Sequence, residues 1–177
     1  WSSDVCSSDL VAPVPAPFPR ILVTEVLSAS VPPATDAIEL VNDSLDPVNV
    51  GGWFLTDDFR NPFKYRIPSN TVIADLGFLV LTETAFNVTN PPSPTAFAFS
   101  SAGDEAYLFS ANAQGELTGY YHGWSFGAAD PGVSFGHYVN SVGDEQFVAQ
   151  RSPSLGTDNA GPRVGPLVLS EIHYHPR

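Results

Sequence analysis

Two carboxylates raise the first chemical question. Glu25 and Glu39 lie in the apolar runs ILVTEVL and AIELVN, and a carboxylate pair brought together can carry general acid–base chemistry. Such a pair needs a cleft and a partner motif, and the surrounding sequence supplies neither. Both are therefore expected to face solvent or to cap a backbone edge. Near the end of the chain, Glu171, His173 and His175 occupy alternate positions. A strand would point all three to one face, and imidazole with carboxylate suits zinc or another transition ion. The spacing is short and no further ligand is evident, so the segment is read as a plain strand. Acidic residues on loop-like stretches, Asp43 with Asp46, Asp57-Asp58, Asp104-Glu105 and Asp144-Glu145, offer oxygen donors for calcium. None has the EF-hand spacing. His122 sits in the aromatic stretch YYHGW and His137 in a strand-like run, neither within a ligand motif. No G-x-S-x-G elbow and no glycine-rich phosphate loop occurs. No catalytic, cofactor-binding or metal site is assigned, and the chain is not expected to be an enzyme.

The elements that must position these residues read as strands. Ile21 to Leu27 is rich in β-branched residues, and Ala37 to Asn42 alternates apolar and polar, the period of a half-buried strand. Asp46-Pro47 and Gly51-Gly52 mark turns, the second able to take a positive φ. Short strands are expected at 48–50, 53–56, 63–67, 71–74 and 78–82, with one helical turn within 83–88. Later strands are expected at 105–110, 117–122, 133–138 and 146–149. No long stretch keeps a 3.6-residue period, and turn signals recur about every ten residues, the pattern of an all-β sandwich or barrel. Trp53, behind two glycines, is read as a core aromatic between sheets.

Composition bounds the rest. A chain of 177 residues, 43% hydrophobic, suits one globular domain with spare ends, large enough to hold a core without a disulfide staple. No apolar run approaches the roughly 18 residues of a membrane-spanning helix. Seven basic residues against nineteen acidic ones give a net charge of −12. Nonspecific nucleic-acid binding relies on lysine and arginine neutralising phosphates, so nucleic acid is not an expected partner. The acidity reads as a solubility device, with calcium binding the sharper alternative. The chain has no methionine and no signal-peptide pattern, as expected of a mature form or a piece of a longer polypeptide. Residues 1–10, WSSDVCSSDL, match the translation of an adaptor oligonucleotide used in short-read DNA sequencing. They are expected to lie outside the natural fold, and with them Cys6, the sole cysteine. Residues 11–19, VAPVPAPFP, place proline at alternating positions and read as an extended linker.

Five ordered motifs carry a family resemblance. They are the opening ILVTEVL, the IEL-x-N strand of Ile38 to Asn42, and PVNVGGWFLTDD from Pro47. IPSNTVIADLGFLVL from Ile67 and GDEAYL from Gly103 complete the series. Together they resemble the lamin-tail domain, over roughly 20–161, and the closing segment GVSFGHYV…SPSLGTDNAGP is similar to that of bacterial members. The resemblance implies an immunoglobulin-like β-sandwich, in agreement with the strand pattern. LVLSEI, Leu167 to Ile172, repeats the form of ILVTEV, Ile21 to Val26. Residues 162–177 are accordingly read as a linker and the first strand of a following, truncated lamin-tail-like module.

The expected role is a non-catalytic module of a larger secreted or surface bacterial protein, acting as a structural or adhesive spacer or a protein-interaction domain. The alternative is an accessory targeting domain of an exported hydrolase, nuclease or kinase-like enzyme whose catalytic part lies elsewhere. Expected partners are an unknown protein or surface and the neighbouring domains of the same chain, with no membrane span and no cofactor.

Overall fold

The structure, a computed structural model, describes residues 18–89 and 91–165. The readings made for residues 1–10 with Cys6, for most of the linker, and for Glu171, His173, His175 and the repeated strand lie outside the described residues.

Eleven strands and one helical turn follow one another in the described residues. They are β1 (Ile21–Leu27), β2 (Ala37–Asn42), β3 (Val48–Asn49), β4 (Phe54–Thr56), β5 (Tyr65–Arg66), β6 (Val72–Ile73) and β7 (Phe78–Thr82). Then come α1 (Glu83–Phe86), β8 (Asp104–Ala111), β9 (Leu117–Phe126), β10 (Phe135–Val139) and β11 (Glu145–Ala149). All strand pairs are antiparallel. One sheet has the order β11-β10-β1-β2-β7, the other β5-β4-β8-β9, and β3-β6 forms a small ribbon. The lengths of β1, β2 and β7 are those expected from sequence. β9 runs four residues beyond the expected end at His122, because β8 pairs with it as far as Asp104↔Phe126.

The sandwich core lies between the two sheets. Ile21, Val23, Val26, Ile38 and Leu40 from one sheet meet Leu55, Ala106, Leu108 and Phe126 from the other. Phe86 on α1 continues the core by stacking on Phe97, with ring centroids 4.7 Å apart. Trp53 is buried in the same cluster and lies 6.0 Å from the Tyr120 ring, as the sequence predicts. Gly52 ahead of it has φ +91°, which a side chain would strain. That turn brings Trp53 inward through hydrogen bonds from Trp53 N to Val50 O and from Ile67 N to Trp53 O. Asn42, which ends β2, is fully buried. Its amide nitrogen lies 2.8–3.2 Å from the carbonyls of Asp46, Ile73 and Ala74, so the side chain ties the turn after β2 to β6.

β1 breaks its own alternation. Val23 and Val26 both point into the core, and the pairing with β2 shifts between Val23 and Glu25. A bulge of this kind inserts one unpaired residue and here turns Thr24 and Glu25 together toward the outer face. β2 is also not half-buried, as its alternation suggested: Glu39 and Asn42 are as fully buried as Leu40. Asn42 is closed in by the carbonyls of the following turn and of β6, whereas Glu25 and Glu39 are covered by residues 151–161, which fold back over the outer face of the five-stranded sheet.

Candidate functional site

Glu25 and Glu39 face each other across β1 and β2, and both are fully buried. The expectation that they face solvent is overturned; the alternative, that they cap backbone, describes them. The Glu25 carboxylate accepts from Ser154 N at 2.9 Å (Oε1) and from Ser154 Oγ at 2.7 Å (Oε2). Glu39 accepts from Thr24 Oγ1 at 2.7 Å and from Gly156 N at 2.6 Å. Asn159 completes the arrangement by donating to Thr24 O at 2.9 Å and to His137 O at 2.8 Å. Ser154 Oγ in turn accepts from Ala160 N at 3.1 Å. Two carboxylates thus hold the segment after β11 in place. A carboxylate needs such donors if it is to stay charged when buried. Burial pushes the Glu39 pKa up from 4.5, helped by the charges of Glu25 and Asp158, while the bonds from Thr24 and Gly156 oppose the shift.

Three alternate residues of β9 close the other side of β1. β10 reaches β1 only at Glu25↔Gly136 and Val26↔Phe135, so the first half of β1 lacks a strand there. Tyr120 Oη donates to Ile21 O at 2.8 Å, His122 Nδ1 accepts from Val23 N at 2.9 Å, and Trp124 Nε1 donates to Val23 O at 2.9 Å. Side chains thereby replace a ladder, as buried backbone groups require. The bond fixes His122 as the neutral tautomer with an unprotonated Nδ1. Burial first, and then the neighbouring His137, lower its pKa from 6.5 to about 4. His137 Nε2 is buried and without a hydrogen-bond partner among the described residues, 3.9 Å from Glu145 Oε1.

Beside the carboxylate clasp the outer face opens into a cleft of about 530 Å³. Leu22, Val41 and Phe78 line it together with His137, Asp158 and Asn159. Its rim carries the Arg20–Asp43 ion pair, at 3.2 Å.

The loop carboxylates divide. Asp57, Asp58, Asp104 and Glu105 meet around a second cleft of about 690 Å³, whereas Asp43 and Asp144 lie elsewhere. Asp57 is ion-paired with Lys64. Asp104 accepts from Ser100 N and Glu105 N, and Glu105 Oε2 accepts from Phe59 N. Asp144 accepts from Asn140 Nδ2 within its own turn. Among the described residues, no three histidine, cysteine or acidic side chains group as metal ligands would.

The sequence reading missed what stands beside that second cleft. Phe54, Phe109 and Tyr121 form one row across β4, β8 and β9, pointing away from the core. Phe63 packs on Phe54 at 5.1 Å between centroids, and Phe59 packs on the rest, its ring centroid 5.0 Å from Tyr107, 5.4 Å from Phe109 and 5.2 Å from Tyr121. Opposite Tyr107 stands Gly123. A Cβ there would approach Ala106 O to 2.2 Å and Tyr107 Cδ1 to 2.4 Å, so the Tyr107 ring can lie across β9 only over glycine. The alternation of aromatics along AYLFS was the signal available.

A family model for the lamin tail domain matches residues 15–124, which is more than half of the chain. No curated protein and no solved structure gives a significant match. The matched span carries the Glu25–Glu39 pair, Asn42, the Trp53 turn, the strands β1 to β8 and most of β9, arranged as the immunoglobulin-like sandwich of that family. The chain is a member of the lamin tail domain family.

Proposed function

We propose that this domain is a non-catalytic docking and spacing module of a larger secreted or surface-attached protein. The observation that carries the reading is the use to which its most reactive-looking groups are put. Glu25 and Glu39 spend their oxygens on Ser154, Gly156 and Thr24, and His122 spends its lone pair on the β1 backbone. A general acid or base needs a free atom within hydrogen-bond reach of substrate, and these atoms are committed to holding strands and loop together. The charge of −12 supports a surface that stays soluble and repels polyanions, in keeping with a partner other than nucleic acid. The cleft and the aromatic face on the two outer surfaces supply room for contact without disturbing the core. No helix among the described residues is long and apolar enough to cross a membrane.

The test pairs chemistry with stability. The purified chain is assayed with chromogenic ester, phosphate and glycoside substrates, and Glu25→Gln and Glu39→Gln are compared with it. The expected result is no turnover in any of the three proteins and a lowered melting temperature in Glu25→Gln. Turnover that disappears in either variant would overturn the reading.

A further inference from the structure

Three rings stand exposed on the outer face of the four-stranded sheet. Tyr121 is 53% exposed, Phe63 49% and Phe59 41%, all on or over one sheet face. Contiguous apolar surface of this sort on a soluble domain marks a contact site. Its neighbours define the contact chemically. Phe59, Tyr107 and Tyr121 line the 690 Å³ cleft together with Asp58, Arg60 and Glu105. One oxygen of each of those two carboxylates is engaged: Asp58 Oδ1 accepts from Arg60 N, and Glu105 Oε2 accepts from Phe59 N, both at 2.9 Å. Among the described residues no donor engages the second oxygen of either. Those oxygens are acceptors only, and they stand beside exposed ring faces.

The arrangement discriminates among ligand classes. Carboxylates of Asp58, Asp104 and Glu105 outnumber the single guanidinium of Arg60 in the cleft, which disfavours phosphates, uronates and other anions. A caged alkylammonium needs rings spread around a void. Here Phe59 meets Tyr107 and Tyr121 edge to face, at 5.0–5.2 Å between centroids and 69–73° between planes, so the rings close on one another and leave a stepped ledge rather than a cage. A flat ligand with an apolar face and hydroxyl donors at its edge fits both features. A pyranose ring has that form: its axial C–H groups lie on an aromatic face, and its hydroxyls donate to carboxylates in charge-assisted bonds.

We propose that the ledge of Phe59, Tyr107 and Tyr121, with Asp58, Glu105 and Arg60 at its edge, binds a neutral carbohydrate. The proposal rests on the reading of the domain as a docking module and names its partner as a glycan surface. The ring of Tyr121 stacks on the sugar, and Asp58 and Glu105 take its hydroxyl protons. Arg60 donates to a ring or glycosidic oxygen. The cleft lies on the opposite sheet from the Glu25–Glu39 clasp, so the two sites can be altered separately.

The test is affinity electrophoresis of the whole chain in native gels. The gels contain hydroxyethylcellulose, glucomannan, laminarin or soluble starch, with alginate as the anionic control. Retardation is expected in at least one neutral glucan or mannan gel and not in alginate. Tyr121→Ala is expected to weaken that binding at least tenfold, and Tyr121→Phe to preserve it. Asp58→Asn, which leaves ring packing intact, is expected to weaken it several-fold, and circular dichroism of each variant verifies the fold. Absence of retardation in every neutral gel overturns the proposal, as does retardation unchanged in a folded Tyr121→Ala or in Asp58→Asn. Adhesion of a labelled chain to whole cells that survives such a failure would leave the docking reading standing while removing the glycan from it.

Discussion

Glu25 and Glu39 are each buried with a donor supplied by a segment far along the chain. Removing a carboxylate strands those donors, and a hydrogen bond to a charged group contributes about 1.5–3 kcal/mol. Glu25→Ala is therefore expected to lower unfolding free energy by about 2–4 kcal/mol, measured by urea titration. A loss below about 0.5 kcal/mol, the scatter of ordinary surface substitutions, would remove Glu25 from the clasp. His122 has a different signature. Its pKa is held at about 4 against a usual 6.5, so as pH falls the unfolded chain takes up a proton before the folded one. The stability it contributes is full above pH 6.5 and is lost progressively down to about pH 4, by at most about 1.4 kcal/mol per unit. Glu39 runs the other way: its raised pKa means that folding disfavours its charge. Its share of stability is full below its usual 4.5 and is lost as pH rises through the folded value. An NMR titration of the His122 imidazole separates the two, with a midpoint near 4 expected and one near 6.5 contradicting the buried tautomer. His122→Gln keeps an acceptor for Val23 N without a titrating ring and should flatten the acid limb of the stability profile.

At the scale of elements, strand pairing across β8 and β9 depends on a single missing side chain. Gly123→Ala places a Cβ against Ala106 O and the Tyr107 ring. Overpacking of this kind costs about 1–3 kcal/mol and should tilt Tyr107 out of the outer face. Thermal denaturation with near-ultraviolet circular dichroism reads both effects, and an unchanged spectrum would argue against the Tyr107–Gly123 contact. The strands themselves were legible in the sequence because short runs such as FLVLT and EQFVA are bounded by strong turn residues. Which face of β8 is inward was not: Ala106 and Leu108 alternate with Tyr107 and Phe109, and both sets are apolar. Burial of Glu39 was hidden for another reason. An alternating strand reads as half-exposed unless something covers its polar side, and the cover arrives with Ser154 and Gly156, more than a hundred residues later. The bulge at Thr24 does leave a local mark, two polar residues between Val23 and Val26 where strict alternation would turn Glu25 inward and Val26 outward.

Across the whole molecule, the family match ends at residue 124, but the five-stranded sheet does not. β10 pairs with β1, β11 pairs with β10, and residues 151–161 seal the outer face. The acidic surface carries its own prediction: at physiological salt the chain should not retard duplex DNA in a gel-shift assay, and tight binding would contradict the charge argument. The central claim is that the paired glutamates lock the closing segment onto the sheet and are structural for that reason. Native-state hydrogen exchange at the Ser154 and Gly156 amides tests it most directly. These amides should exchange only through global unfolding in the parent chain, and Glu25→Ala should accelerate Ser154 far more than the core amides of β2. Exchange of Ser154 and Gly156 at the rate of an open loop, in the parent chain and unaffected by the substitution, would contradict the account.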